Sequence, residues 1–188
     1  MRIISGNFKG KKIFDPKDKK TRPLKDLTKE SIFNIIEHSN KFKIKIQNSN
    51  ILDLFSGVGS FGLEALSRGA SHITFVENYP IVLEILEKNI KNLKLNDKSS
   101  IIKKNIFKDL IFENLNNQYD IIFLDPPFDE KNISFILSKI HLYNILGPNG
   151  IIILHRKSTL KENLIKEFRV IEEKKYGISR IIFGNYFV

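Results

Sequence analysis

From residue 50 onward, short β-branched runs alternate with amphipathic stretches, and this alternation limits the possible folds more than any other feature of the chain. NILDLF, SHITFVE, SIIKK, YDIIFLD and GIIILH read as strands, while GSFGLEALSRG, PIVLEILEKNIKNLKL and NISFILSKIHLYNIL read as helices. A strand lying parallel to its predecessor needs a crossover of a dozen or so residues, and amphipathic helices of this length supply it. The pattern predicts an α/β fold with five parallel strands. A further helix is expected near TLKENLIKEF, residues 159–168. The last stretch, RVIEEKKYGISRIIFGNYFV, holds two strand-like runs joined at YGIS, too closely linked for a parallel crossover. An antiparallel hairpin therefore brings the sheet to seven strands.

Ahead of this pattern, RIISGNFKGKKIF predicts a short glycine-turned hairpin, and DLTKESIFNIIEH a helix with Leu27, Ile32, Phe33, Ile35 and Ile36 as its apolar positions. DPKDKKTRPLK, between them, is expected to be a surface loop. A chain of 188 residues with 41% hydrophobic content suits one core. It predicts a single domain over 1–188, with residues 1–49 as a basic extension packed on a core over 50–188. Residues 1–50 carry 13 Lys and Arg against five Asp and Glu, whereas the rest carries 18 against 16. A basic footprint concentrated at one end suits a polyanion, nucleic acid above all. There is no cysteine, and His38, His72, His141 and His155 show no paired ligand spacing, so no metal is expected. No apolar window reaches the roughly 18 residues that span a bilayer, and a soluble cytoplasmic protein without a membrane partner is expected.

ILDLFSGVGSFGLEAL runs strand, turn, helix, and its Gly57, Gly59 and Gly62 have the G-x-G-x-x-G spacing. Glycines in that context allow a tight turn and let a ligand approach the main chain. Glu77, 20 residues after Gly57 at the end of the second strand, is placed to accept hydrogen bonds from a ribose. These features predict an adenosine-containing cofactor. Asp53, at the strand end leading into the glycines, chooses among such cofactors by charge. It would repel a pyrophosphate but attract an ammonium or sulfonium, since unit charges 4 Å apart interact by about 4 kcal/mol at intermediate dielectric. S-adenosylmethionine is the better fit. Phe55 and Asn78 complete the candidate cofactor wall, and Asn105 and Ile106, after the third strand, stand where an adenine edge and face would be received.

Ligands of open α/β sheets bind at the carboxyl ends of the strands, so the fourth strand delivers LDPPF to the rim that holds the glycine loop. Prolines fix the backbone and lack N–H donors, which leaves the Asp125 carboxylate and the Asp125 and Pro126 carbonyls as a rigid acceptor cluster. The exocyclic amine of a nucleobase is a matching donor. Its lone pair is delocalised into the ring, and accepting its N–H groups favours a pyramidal nitrogen whose lone pair points outward. Asp125, Pro126, Pro127 and Phe128 are thus the candidate catalytic residues, with Asp125 also facing the cofactor and Phe128 stacking on the base. Asp-Pro-Pro-Phe after such a sheet resembles the motif of amino-methyltransferases that act on adenine N6, guanine N2 or, in related forms, cytosine N4, and does not choose among them.

The wider chain is more selective. RIISGNFKGKKI, TRPLKDLTKESIFNII, LDLFSGVGSFGLEALSRGA, LDPPF and the late YG turn resemble, in order and spacing, the RsmD family over nearly the whole length. The resemblance implies a Rossmann-like class I methyltransferase fold: a mostly parallel seven-stranded sheet, a C-terminal antiparallel hairpin and a small N-terminal hairpin and helix. It implies methylation of the N2 amine of one guanine in small-subunit ribosomal RNA, with ribosomal proteins of the subunit as neighbours. Leu24 and Leu27 depart from the Thr and Arg common in the family, and Ser5 from its frequent Gly, whereas Arg22, Pro23, Asp26, Lys29 and Glu30 fit. Arg2, Lys9, Lys11, Lys12, Arg22 and Lys29 are the candidate RNA contacts.

Overall fold

The computed structural model describes residues 1–16, 24–108, 111–115 and 118–187. Seven strands form one sheet: β1 (Asn50–Leu54), β2 (His72–Glu77), β3 (Ser99–Lys103), β4 (Tyr119–Leu124), β5 (Leu146–Lys157), β6 (Phe168–Tyr176) and β7 (Ser179–Tyr186). Their order is β3-β2-β1-β4-β5-β7-β6. Neighbours from β3 across to β5 are parallel, and β7 lies antiparallel between β5 and β6. The hairpin turns at Gly177, whose φ of 56° suits a residue without Cβ. Strand order reverses between β1 and β4, and at such a switch point the loops leaving the two strands diverge and open a crevice.

Side-chain alternation divides the core between the two faces of the sheet. Ile51, Ile73, Phe75, Ile121, Phe123 and Ile153 point to the face covered by α1 (Asp26–His38), α2 (Ser60–Ser67) and α3 (Pro80–Asn92). Leu52, Leu54, Ile122, Leu124, Ile152 and Leu154 point to the face covered by α4 (Ile133–Leu142). Central strands buried on both faces explain the unbroken aliphatic runs in the sequence.

The first residues form less of a hairpin than the sequence suggests. A single antiparallel bridge, Arg2 with Lys12, flanks a 3-10 turn at Gly6–Phe8. The segment is fixed by α2 instead. Glu64 accepts the amides of Ile4 (2.7 Å) and Ser5 (2.9 Å), and Ser67 Oγ accepts that of Phe8 (2.9 Å). Every residue of α2 is consequently buried. Asn89 of α3 holds the returning chain, accepting from Phe14 N (2.8 Å) and donating to the carbonyls of Phe14 (3.1 Å) and Val58 (3.0 Å). In α1, Leu27 is 69% exposed and is not a core position.

The helix expected near residues 159–168 is absent; Ser158–Glu167 form turns and extended chain. The connection is too short for the helix. Because β7 is antiparallel to both neighbours, β6 runs parallel to β5, and the connection must travel back along the register from Ser179, opposite Lys157, to Tyr186, opposite Phe168. Those seven strand steps span about 23 Å. A helix over residues 159–168 would cover only about 15 Å, whereas extended chain reaches easily.

Candidate active site at the switch point

A cavity of about 610 Å³ opens at the carboxyl ends of β1, β2, β3 and β4, a size common for cofactor sites. It brings together Asp53, Phe55, Gly57, Glu77, Asn78, Asn105, Ile106 and the run Asp125, Pro126, Pro127 and Phe128. Residues of the N-terminal segment, Met1, Pro16 and Leu24, form part of its wall. Gly59 does not line it. Its role is packing: a Cβ there would stand 2.6 Å from Leu86 Cδ1, and its φ is 85°. Gly62 is likewise a packing glycine, a Cβ falling 2.4 Å from the Phe75 ring. At Gly57, by contrast, a Cβ would meet no atom within 4 Å, so the backbone there faces open space. Phe55 holds φ at 61°, a conformation that costs a bulky residue energy and that recurs at functional sites.

Three acids in this wall differ in their partners. Glu77 accepts backbone amides from Gly57 (2.9 Å), Asn78 (2.8 Å) and Tyr79 (2.9 Å), and so shapes the glycine loop itself. Asp125 Oδ1 lies 2.8 Å from His155 Nδ1. Asp53 is only 1% exposed; its Oδ2 accepts the Gly62 amide at 3.1 Å, while Oδ1 has no hydrogen-bond partner among the described residues. Burial pushes the Asp53 carboxyl well above the ordinary carboxylate range; the Gly62 amide opposes that shift, and the negative charges of Asp125 and Glu77 reinforce it. Asp53 thus brings to the cavity wall a buried carboxyl with one oxygen unpaired among the described residues.

The loop after β4 owes its shape to Arg156, which is 2% exposed. Its guanidinium donates to the carbonyls of Pro127 (2.8 Å), Phe128 (3.4 Å) and Glu130 (2.5 Å), and Nε pairs with Glu162 at 2.6 Å. The Pro126 carbonyl is not among the oxygens it takes. Half-buried Phe128 packs edge-on against the His155 ring, with centroids 5.7 Å apart.

A family model described as Conserved hypothetical protein 95 matches residues 1–185. A Haemophilus influenzae protein named Ribosomal RNA small subunit methyltransferase D is 31% identical over 179 residues, 95% of this chain and 90% of that one. The chain belongs to the RsmD family. The Escherichia coli protein of the same name is 34% identical over 150 residues, covering 80% of this chain and 68% of that one. Among solved structures, Haemophilus influenzae HI0767 superposes with a TM-score of 0.74 at 29% identity, over 97% and 96% of the two chains. Escherichia coli yhhF does so with a TM-score of 0.80 at 24% identity, over 99% and 97%, a likeness of fold.

Of the RNA contacts that the sequence suggests for this RsmD-family chain, Arg2, Lys9, Lys11 and Lys12 are exposed. Arg22 lies outside the described residues. Lys29 is a correction: its side chain is 0% exposed, donating to Arg2 O (3.0 Å) and Ser60 Oγ (3.3 Å) and pairing with Glu64 (3.6 Å) and Asp26 (3.8 Å). Burial depresses its pKa, and the two acids pull it back up. Lys29 ties the N-terminal segment to α2 and does not reach a phosphate. His155 and Arg156 are site residues that the sequence reading did not single out; the signal was a polar pair closing the aliphatic strand GIIILHR on the same rim as LDPPF.

Replacing Arg156 with Met should leave the buried Glu162 carboxylate and three loop carbonyls without their donor, a loss of as much as about 3–5 kcal/mol by comparison with other broken buried pairs. Urea denaturation measures that loss, and amide exchange at Phe128–Glu130 should accelerate. Adding Glu162→Met should recover part of the stability; equal stability of wild type and Arg156→Met would refute the role.

Proposed function

We propose that this protein transfers the methyl group of S-adenosylmethionine to the exocyclic N2 amine of a guanine in bacterial small-subunit ribosomal RNA, in or near a particle that carries ribosomal proteins. The carrying observation is that the acceptor run Asp125–Phe128 and the cation-receiving Asp53 open on one cavity. The names of the relatives support ribosomal RNA as substrate. The order of motifs along the chain supports the guanine N2 position.

The residues present fit the cofactor. Asp53 Oδ1 supplies an acceptor for the amino group or sulfonium, Gly57 allows close approach, Glu77 and Asn78 face the ribose, and Asn105 and Ile106 bound the adenine end. When bound, S-adenosylmethionine supplies a methyl group already activated by a sulfonium leaving group. On the other side, the Asp125 carboxylate and Pro126 carbonyl accept the N–H groups of the amine, and Phe128 lies against the base. Arg156 holds this loop rigid through the carbonyls of Pro127, Phe128 and Glu130. Orientation of bound reactants contributes as much as about 7–11 kcal/mol to such a transfer. In a duplex one N–H of guanine N2 is taken by cytosine and the ring face is stacked on its neighbours, so a base that meets Phe128 and the acceptor cluster is unpaired or flipped out. The exposed Arg2, Lys9, Lys11 and Lys12 provide phosphate contacts for the surrounding RNA.

Radiolabelled methyl transfer to small subunits that lack the modification, followed by nucleoside analysis, should place the label in N2-methylguanine. Label confined to adenine, or appearing in DNA instead, would sink the proposal. Phe128→Ala should lower kcat/KM for the subunit by roughly 5- to 150-fold, the loss expected for one stacked base.

Asp53 gives the cofactor step a pH signature. Its carboxyl pKa is raised by burial, and a cationic occupant favours the ionised form. Binding should therefore release a proton, and affinity should rise with pH until the raised pKa is passed. Calorimetry in buffers of different ionisation enthalpy measures the release, which Asp53→Asn should abolish. A proton count of zero in the wild type contradicts this role.

If the N-terminal cations bind RNA, log affinity should fall linearly with log salt, and replacing Lys9, Lys11 and Lys12 with Gln should flatten the slope by roughly 0.7–0.9 for each phosphate no longer neutralised. Filter binding across a salt series reads the slope; an unchanged value excludes these lysines from the interface.

A further inference from the structure

The side chain behind the acceptor loop is a histidine with a partner on each ring nitrogen. His155, in β5, is 1% exposed; its Nδ1 lies 2.8 Å from Asp125 Oδ1 and its Nε2 2.9 Å from Ser179 Oγ in β7. Asp125 lines the cavity, whereas His155 and Ser179 do not. The Asp-His-Ser chain has the connectivity of a nucleophilic triad but faces the opposite way, because here the acid meets the cavity and the serine is 3% exposed behind the ring. Nucleophilic attack by Ser179 is therefore excluded by position.

We infer that His155 is a positioning residue for methyl transfer, holding the Asp125 carboxylate in the orientation that receives the amine; this rests on the function proposed above. A carboxylate only accepts hydrogen bonds, so Nδ1 carries the proton. In the neutral ring Nε2 is then an acceptor, and the Ser179 hydroxyl donates to it. The acceptor-only carboxylate of Asp125 puts a proton on Nδ1, the Ser179 hydroxyl holds the far nitrogen, and the ring so anchored fixes one oxygen of Asp125. An ionised carboxylate has about four acceptor sites, so the bond to His155 does not exhaust it. The edge of Phe128 against the imidazole couples the same ring to the residue that meets the base. His155 orients both halves of the acceptor loop from β5 without touching the substrate.

Two measurements test this. Nitrogen-15 NMR of the histidine ring in the wild-type protein should show a proton on Nδ1; a ring protonated on Nε2 alone overturns the inference whatever the substrate. The second measurement is a kinetic cycle. His155→Leu, which removes the donor, should lower kcat about 10- to 100-fold, the range of one charge-assisted hydrogen bond, with the S-adenosylmethionine dissociation constant within about twofold of wild type. His155→Asn keeps an N–H toward Asp125 and should recover most of kcat. In an Asp125→Asn background His155→Leu should cost little more, because its effect passes through Asp125. Equal loss in His155→Asn and His155→Leu, or fully additive losses with Asp125→Asn, refutes the inference. If His155→Leu fails to fold, the tautomer and the activity of His155→Asn still decide. If the wild type moves no methyl group to small-subunit RNA, the proposed function falls by itself, and the tautomer alone then tests whether His155 donates to Asp125.

Discussion

The buried guanidinium of Arg156 is the interaction on which the site depends. Placing a cation at 2% exposure costs several kcal/mol of desolvation unless its donors are met, and here the carboxylate of Glu162 and the carbonyls of Pro127, Phe128 and Glu130 meet them. The prolines matter to this exchange. A loop with two consecutive prolines lacks two amide donors that could otherwise pair with its own carbonyls, so those oxygens must find a donor elsewhere. Arg156 is that donor, and the same loop then presents its other edge to the cavity. Neither part works alone: the prolines create unsatisfied acceptors, and the arginine converts them into a fixed geometry.

A second buried cation plays a similar part beneath the N-terminal segment. Lys29 and Arg68 converge on Glu64, which also receives the amides of Ile4 and Ser5. This network makes the N-terminal segment a wall of the cavity, with Met1, Pro16 and Leu24 on its lining. The basic character of the first fifty residues thus divides into two populations. Lys29 is enclosed within the fold, whereas Arg2, Lys9, Lys11 and Lys12 remain at the surface.

That division explains what a sequence does and does not disclose. Strand and helix periods were readable because β1, β4 and β5 are buried on both faces and the helices on one, and each state leaves its own spacing of apolar residues. DLTKESIFNIIEH matches α1 residue for residue at its ends. TLKENLIKEF misled because Leu160, Leu164, Ile165 and Phe168 have helical spacing, while the parallel placement of β6 demands a reach that no ten-residue helix has. Lys29 misled for a related reason: a lysine's burial depends on an acid 35 positions away in Glu64, which no local pattern records. His155 was invisible as a lone histidine among aliphatics, since its meaning comes from Asp125, 30 positions earlier in the chain. The rim rule for α/β sheets joins the two once the strands are placed.

The three acids of the cavity acquire different tasks from their surroundings alone. Glu77 is occupied by three amides of its own loop, and its charge stabilises the turn. Asp125 is oriented by an imidazole. Asp53 has one amide and one oxygen without a partner among the described residues, and burial raises its pKa, so ionising it costs stability. The sign follows from linkage: a carboxyl raised by folding contributes most when protonated, and that contribution is lost as pH climbs through the raised value. A cationic occupant reverses the penalty by supplying the missing partner. The buried, half-satisfied carboxyl of Asp53 is the physical ground for the proposed selectivity, since a positively charged cofactor would offset its cost and an anionic one would deepen it.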